Sequence, residues 1–254
     1  MIQNTNTYTV ITGASSGIGY ATAKEFAARG SNLILAARRR DRMEKLKQEI
    51  LKLNPTLDII IKGTDLSIYD NVIQFYKEIK EYPLKTWINN AGFGNYASVA
   101  EQNLTKINNM LRLNIEALTT LSSLFVRDFQ HLNNTQLINV SSCGGYRIVA
   151  NAVTYCASKF FVSAFTEGLA RELKNSGAKM QAKVLAPAAT QTEFGKIASD
   201  KINYNYDKSF GTYHSSKQMA EFLLKLYDSN KTVGIVDRDT FEFKLLDPLF
   251  SYTN

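Results

Sequence analysis

Seven short apolar runs rich in β-branched residues alternate with six segments of helical periodicity along this chain, and no other feature restricts its fold more. The strand-like runs are Tyr8–Thr12, Asn32–Ala37, Leu57–Lys62, Thr86–Asn90, Gln136–Ser141, Gln181–Ala186 and Thr232–Val236. Between them lie the helical patterns Gly17–Arg29, Asp41–Leu53, Tyr69–Glu81, Thr105–Phe129, Tyr155–Asn175 and Ser216–Tyr227. This order argues for βαβ units, which build a parallel sheet with helices on both faces. A chain of 254 residues, 44% hydrophobic and 21% charged, can bury a sizeable core and is expected to form one α/β domain over 1–254. Thr190–Ser215 alone lacks clear periodicity, and a stretch of that length is either a functional lid at about 190–215 or a surface excursion. The tail Thr240–Asn254, with Phe241, Phe243, Leu245, Leu246, Leu249 and Phe250, is too apolar for a free end and is expected to pack on the body or on another subunit.

The first strand-to-helix junction reads Thr12-Gly13-Ala14-Ser15-Ser16-Gly17-Ile18-Gly19. Glycines in such a turn let backbone approach a pyrophosphate closely, and the amides at the start of the following helix attract the anion. The spacing G-x-x-x-G-x-G differs from the commoner G-x-G-x-x-G, yet its position between strand and helix points to dinucleotide binding.

In an open parallel sheet the ligand lies beyond the carboxyl ends of the strands. The second strand runs through Ala36-Ala37 directly into Arg38-Arg39. Guanidinium groups suit a ribose phosphate, where an acidic residue would have favoured a ribose hydroxyl, so NADP is expected over NAD. The competing reading has these arginines merely leading into the next helix, with Asp41 as its cap. After the third strand, Asp65-Leu66 offers a carboxylate to an adenine amine, or else a helix cap. The fourth strand closes on Asn89-Asn90-Ala91-Gly92, where small residues allow close approach and side-chain amides are expected to tie neighbouring strands.

Tyr155 and Lys159 stand one helical turn apart, on one face. The offset alone is weak, because Tyr20/Lys24, Tyr76/Lys80, Tyr204/Lys208, Tyr213/Lys217 and Tyr227/Lys231 share it. Only Tyr155 begins a helix just after a strand ending in serines, Ser141-Ser142. Acid or base work near neutrality needs a tyrosine lowered by roughly two to three pKa units, or about 3–4 kcal/mol, which a neighbouring ammonium and a cationic nicotinamide ring are expected to supply.

With these motifs the chain resembles the short-chain dehydrogenase/reductase family along nearly its whole length. The carrying residues are Thr12–Gly19, Asn89–Gly92, Ser142 and Tyr155-x-x-x-Lys159, with the serine thirteen residues before the tyrosine. The resemblance implies a doubly wound Rossmann-type domain with a parallel seven-stranded sheet. It implies Tyr155 as the proton-exchanging group, Ser142 holding the substrate oxygen, Lys159 on the nicotinamide ribose, and Asn114 holding a water in a proton relay. It carries the cofactor onto Gly13, Ser15, Ser16, Gly17, Ile18, Gly19, Arg38, Arg39, Asp65, Leu66, Asn90, Ala91 and Gly92. Pro187-Ala188-Ala189-Thr190-Gln191-Thr192 resembles the family's P-G-x-x-x-T segment, adding Pro187, Thr190 and Thr192, although Ala188 replaces the glycine. The expected activity is NADP-dependent hydride transfer between NADPH and a carbonyl or secondary alcohol. An NAD-linked dehydrogenase and a non-catalytic dinucleotide-binding regulator are the alternatives. A homodimer or homotetramer is implied.

The remaining features point to ordinary structure. The formal charge of +7 comes from lysines scattered beside glutamates, and the Arg38–Arg42 cluster lacks a nucleic-acid module, so no nucleic-acid partner is expected. No apolar run approaches the ~20 residues that span a bilayer, and no secretory signal opens the chain, so a cytoplasmic protein is expected. Cys143 and Cys156 read as small packing residues, His131 and His214 as surface residues, Trp87 as core, and no metal site is expected.

Overall fold

The structure, a computed structural model, describes residues 5–253, with side chains from residue 7 onward. Met1–Asn4 and Asn254, the ends of the expected 1–254 span, lie outside the described residues. In chain order the first half runs β1 (Thr5–Thr12), α1 (Gly17–Ala28), β2 (Ser31–Ala37), α2 (Arg40–Leu53), β3 (Ile59–Gly63), α3 (Tyr69–Ile79), β4 (Leu84–Asn89), α4 (Leu104–Leu111) and α5 (Leu118–Phe129). The second half runs β5 (Gln136–Val140), α6 (Val153–Asn175), β6 (Gln181–Ala186), β7 (Thr190–Gln191), α7 (Phe194–Ser199), α8 (Tyr206–Phe210), β8 (His214–Ser215), α9 (Ser216–Asp228), β9 (Val233–Val236) and β10 (Phe243–Leu246).

The main sheet has the order β10-β9-β6-β5-β4-β1-β2-β3, a Rossmann-like arrangement that is parallel throughout except at one edge. The expected seven strands are thus joined by an eighth. The apolar tail supplies it, as β10 pairs antiparallel with β9 in register Phe243↔Val236 to Leu246↔Val233. Beyond β10 the tail docks on the body: the buried Glu167 of α6 accepts from the Phe250 amide at 2.8 Å, and the Phe250 ring stacks on Tyr146.

Alternation along β1 and β2 builds the core on both faces. Ile11, Leu33 and Leu35 face α1, α2 and α9, packing with Phe26, Met43 and Leu223. Val10 and Ile34 face the other way, toward Phe75, Trp87 and Phe125 under α3 and α5. Trp87 is fully buried, as its strand position predicts.

Two differences from the sequence reading matter at the site. The pattern Thr105–Phe129 is not one helix: residues Arg112–Ala117 form a π-helical turn between α4 and α5. Such turns interrupt regular helices at functional positions, and this one holds Asn114. The segment Thr190–Ser215 is not without structure, since β7 pairs with β8 and encloses α7 and α8. His214, expected at the surface, is half-buried between Phe222 and Phe241.

Candidate active site

The strand ends converge on a cavity of about 660 Å³. The β1–α1 turn forms one wall. Gly13 (φ +70°) and Gly17 (φ +57°) adopt left-handed backbone, which glycine tolerates without strain. A Cβ at Gly13 would lie 2.8 Å from Asn90 Nδ2 and from Ala91 Cα, so the turn is closed against the end of β4. Asn90 in turn donates to the Thr12 carbonyl at 3.0 Å, and Asn89 Nδ2 donates to Asn139 Oδ1 at 2.9 Å. These are the strand-tying amides that the asparagine pair predicts.

This wall suits a nicotinamide dinucleotide. Ser16, before the first turn of α1, makes no side-chain cap, and that turn carries no acidic residue. The first amides of the helix therefore face the cavity without a side-chain acceptor from their own cap, which is the arrangement that receives a pyrophosphate. The Ser16 hydroxyl accepts instead from Arg39 Nη2 at 2.8 Å, and Ser15 Oγ lies 3.3 Å from the same guanidinium. Arg38 and Arg39 both line the cavity. Asp65 lines it too; its carboxylate accepts from the Ser67 amide at 3.0 Å and hydroxyl at 2.7 Å in the turn before α3, whose cap position is Ile68, so the helix-cap alternative is not realised.

At the other end of the cavity β5 and α6 bring Ser142, Tyr155 and Lys159 together. Ser142 opens the turn after β5, accepting from the Gly144 amide at 3.0 Å. A Cβ at Gly144 would lie 3.4 Å from Ser142 Oγ and 3.8 Å from Tyr155 Cε1, ordinary contact distances that place the serine and the tyrosine on one corner around this glycine. Tyr155 is 8% exposed. Burial raises its phenol above the ordinary tyrosine value, while the Ser142 hydroxyl pulls the other way. The acidified phenol expected from the Tyr-x-x-x-Lys spacing is therefore not produced by the protein alone. Lys159 is pushed down to about 8 by burial and donates to the Val140 carbonyl at 2.9 Å.

Asn114 does not line the cavity and stands one layer behind it, 1% exposed. Its Oδ1 accepts from the Phe93 amide at 3.2 Å, and its Nδ2 donates to the Phe93 carbonyl at 3.0 Å and to Ser158 Oγ at 3.2 Å. A Cβ at Gly92 would lie 2.9 Å from Asn114 Oδ1, so a side chain there would displace the amide, and 3.6 Å from Lys159 Nζ, which places both groups around this glycine. Gly19 likewise does not line the cavity. It packs against Gly13 and Asn90, where a Cβ would collide, and holds α1 close to the sheet. The other predicted positions, namely Ile18, Leu66, Ala91, Pro187, Thr190 and Thr192, line the cavity. Ala188, standing where the family motif has glycine, is not among the residues of positive φ, so alanine is accommodated without strain.

The structure adds residues that spacing did not single out. The Phe194 ring lies 5.3 Å from that of Tyr155 and 6.3 Å from that of Tyr96, covering the phenol. Glu193 pairs with Arg39 at 2.7 Å and with Arg42 at 2.6 Å. Phe194 is one of the apolar residues of Thr190–Ser215, which with Ile197, Tyr204, Tyr206 and Phe210 suit a pocket wall, and it lines the cavity; the Glu193–Arg39 pair, joining residues 154 apart in sequence, had no local signal.

A family model described as short chain dehydrogenase matches residues 7–203. The chain belongs to the short chain dehydrogenase family. An uncharacterized oxidoreductase of Staphylococcus saprophyticus is 31% identical over 196 residues, which make up 76% of this chain and 77% of the relative. A short-chain dehydrogenase from Sphingobium yanoikuyae, solved in complex with NADPH, superposes with a TM-score of 0.82 at 27% identity, covering 90% of this chain and 87% of that one. The bulky-bulky ketone specific alcohol dehydrogenase from Comamonas testosteroni gives a TM-score of 0.78 at 27% identity, with 91% and 86% covered. The protein is thus an oxidoreductase of a family that binds nicotinamide dinucleotides and acts on small molecules. Among the described residues no helix is long and apolar enough to cross a membrane.

Proposed function

We propose that this short chain dehydrogenase is an NADP(H)-dependent carbonyl reductase and secondary alcohol dehydrogenase for substrates with apolar flanks. The observation that carries the reading is one cavity with Arg38 and Arg39 at one end and Ser142, Tyr155 and Lys159 at the other. The NADPH in the Sphingobium relative supports the cofactor, and the ketone specificity of the Comamonas relative supports the substrate class. Phe93, Tyr96, Val149, Phe194 and Ile197 give the substrate end an apolar, largely aromatic lining.

When bound, the cofactor supplies or accepts the hydride. The chain's own residues handle the oxygen. In reduction Tyr155 donates its phenolic proton to the carbonyl oxygen as that oxygen gains charge, and Ser142 donates a hydrogen bond to it. Lys159 holds a positive charge near the phenolate that remains, and Asn114 keeps the lysine's surroundings polar through Phe93 and Ser158. Residues 190–215 form the wall over the substrate end and act as its lid. On the same reading the chain works as one domain, in the cytoplasm, as a homodimer or homotetramer. The two unpaired cysteines suit a reducing compartment.

The test is NADPH consumption with a panel of aliphatic and aromatic ketones against small polar carbonyls. Faster turnover with NADPH than with NADH, and with the apolar ketones than with the small polar carbonyls, supports the reading. Turnover with none of them, by a protein that binds NADPH, would leave the regulator alternative. On the side of NAD(H) stands the pairing of Arg39 with a carboxylate, that of Glu193.

A further inference from the structure

Glu193 stands at the start of α7, immediately before the phenylalanine that covers Tyr155, yet its side chain reaches the opposite, basic end of the cavity. Its carboxylate bridges two guanidinium groups: Arg39 Nη1 donates to Oε2 at 2.7 Å, and Arg42 Nη1 donates to Oε1 at 2.6 Å. Burial raises the Glu193 carboxyl, but the hydrogen bonds from Arg42 and Arg39 outweigh it and hold the group below the ordinary glutamate value. The rest of Arg39 is spread over the glycine turn, with Nη2 on the Ser16 hydroxyl at 2.8 Å and both Nε and Nη2 at 3.3 Å from Ser15 Oγ.

We propose that Glu193 is an internal competitor for the ribose phosphate of the dinucleotide, and that it sets how strongly this enzyme prefers NADP(H) to NAD(H). The inference rests on the reading that the cavity takes a nicotinamide dinucleotide with its adenosine ribose at the arginines. Carboxylate and phosphate monoester are both recognised by guanidinium through paired, charge-assisted hydrogen bonds, so they contend for the same donors. An arriving phosphate either displaces Glu193 from Arg39 and Arg42 or sits beside a like charge. Both outcomes weaken binding of the phosphorylated dinucleotide. A ribose hydroxyl incurs neither penalty, because it donates a hydrogen bond to a carboxylate. Glu193 therefore reduces the advantage that Arg38 and Arg39 would otherwise give NADP(H), leaving a protein that uses both cofactors with a moderate preference.

The competitor is built into the lid rather than into the cofactor wall. Thr192 packs on the glycine turn, where a Cβ at Gly17 would lie 3.0 Å from Thr192 Cγ2, and Thr192 Oγ1 accepts from the Phe194 amide at 3.1 Å. Three consecutive residues thus touch the phosphate turn, the arginines and the tyrosine. The charge that discriminates between cofactors is carried by the segment that closes over the substrate.

The experiment is isothermal titration with adenosine 2′,5′-bisphosphate and with 5′-AMP, which carry the two ribose forms without the nicotinamide. The proteins are wild type, Glu193→Gln, Arg39→Ala, and the double variant carrying both changes. Glutamine keeps the size and polarity of a half-exposed side chain, so folding is preserved. Glu193→Gln is expected to tighten the bisphosphate about fivefold, the size of two half-exposed ion pairs, and to leave 5′-AMP within about twofold. In the double variant the gain disappears. Unchanged or weaker bisphosphate binding by Glu193→Gln overturns the proposal, since the carboxylate would then be orienting the arginines rather than contending for them. If wild type does not distinguish the two ligands and Arg39→Ala binds both as wild type does, the cofactor reading itself fails and the inference with it.

Discussion

Lys159 Nζ donates to the carbonyl of Val140 at 2.9 Å and stands 5.9 Å from the centre of the Tyr155 ring. The amine is 5% exposed, and burial alone pushes it down from the usual lysine value to about 8. It sits at the boundary where a small change in surroundings decides whether the cation beside the tyrosine exists.

That boundary makes stability depend on pH in a stated direction. Below about 8 the amine is charged in folded and unfolded chains alike, and the folded state bears the cost of a buried cation. Between about 8 and 10.5 the unfolded chain keeps the proton and the folded chain does not, so stability rises with pH across that window. Wild type is therefore expected to gain on Lys159→Met between pH 7 and pH 10, by a few kcal/mol at most. Lys183, also pushed to about 8 by burial, titrates in both proteins and cancels. Urea midpoints of the two ligand-free proteins at both pH values read the difference. A gap that does not move would mean the amine keeps its proton.

The Arg39 guanidinium reaches Ser15, Ser16 and Glu193 from the end of β2. Arg39→Ala is expected to weaken NADPH binding about tenfold while changing NADH less than about twofold, the loss of one charge-assisted contact to phosphate. Fluorescence titration of both reduced cofactors checks it. Equal loss for the two would mean that Arg39 supports the glycine turn rather than the phosphate.

Phe194 covers the catalytic corner. Its ring tip also fills the space beside Gly94, where a Cβ would lie 2.6 Å from Cζ. Phe194→Ala is expected to raise KM for a bulky apolar ketone about tenfold and to leave KM for a small one nearly unchanged, since about 1–2 kcal/mol of apolar contact is lost only by the larger substrate. Parallel steady-state curves on the two ketones decide it. Equal changes in both would point to a displaced Tyr155.

Much of this site was readable in the sequence because its parts are local. The glycine turn, the Asn89-Asn90 strand end and the Tyr155/Lys159 pair each depend on residues within one turn or one helix. The Trp87 core position follows from strand alternation, and the parallel sheet from the order of elements. What could not be read depends on pairings between distant segments. The eighth strand exists because Phe243–Leu246 meets the edge of β9, and alternation in an apolar tail does not say which edge it joins. The π-helical turn at Arg112–Ala117 adds one residue to an unbroken helical pattern, and periodicity alone does not register it. The Glu193 bridge unites a helix start with arginines roughly 150 residues earlier. The raised Tyr155 follows from burial, which spacing does not measure.

Asn139 in β5 joins two buried partners across the sheet and onto α6, accepting from Asn89 Nδ2 at 2.9 Å and donating to Thr166 Oγ1 at 2.9 Å. Asn139→Leu removes both bonds from a fully buried layer, leaving Asn89 Nδ2 with Ser122 Oγ and Thr166 Oγ1 with the Val162 carbonyl, and is expected to cost about 2–4 kcal/mol. A thermal or urea transition measures it. A loss below about 1 kcal/mol would show that Ser122, also beside Asn89, replaces the missing acceptor.

The Tyr155 phenol is expected to give its proton to the substrate oxygen from a corner shared with Ser142. Single-turnover oxidation of bound NADPH by an apolar ketone, in wild type and Tyr155→Phe, tests it with binding separated from chemistry. The phenyl ring keeps the contact with Phe194, so NADPH affinity is expected to stay within about twofold while the chemical step slows at least about 1,000-fold. A Tyr155→Phe protein whose chemical step stays within about tenfold of wild type would show that another group supplies the proton.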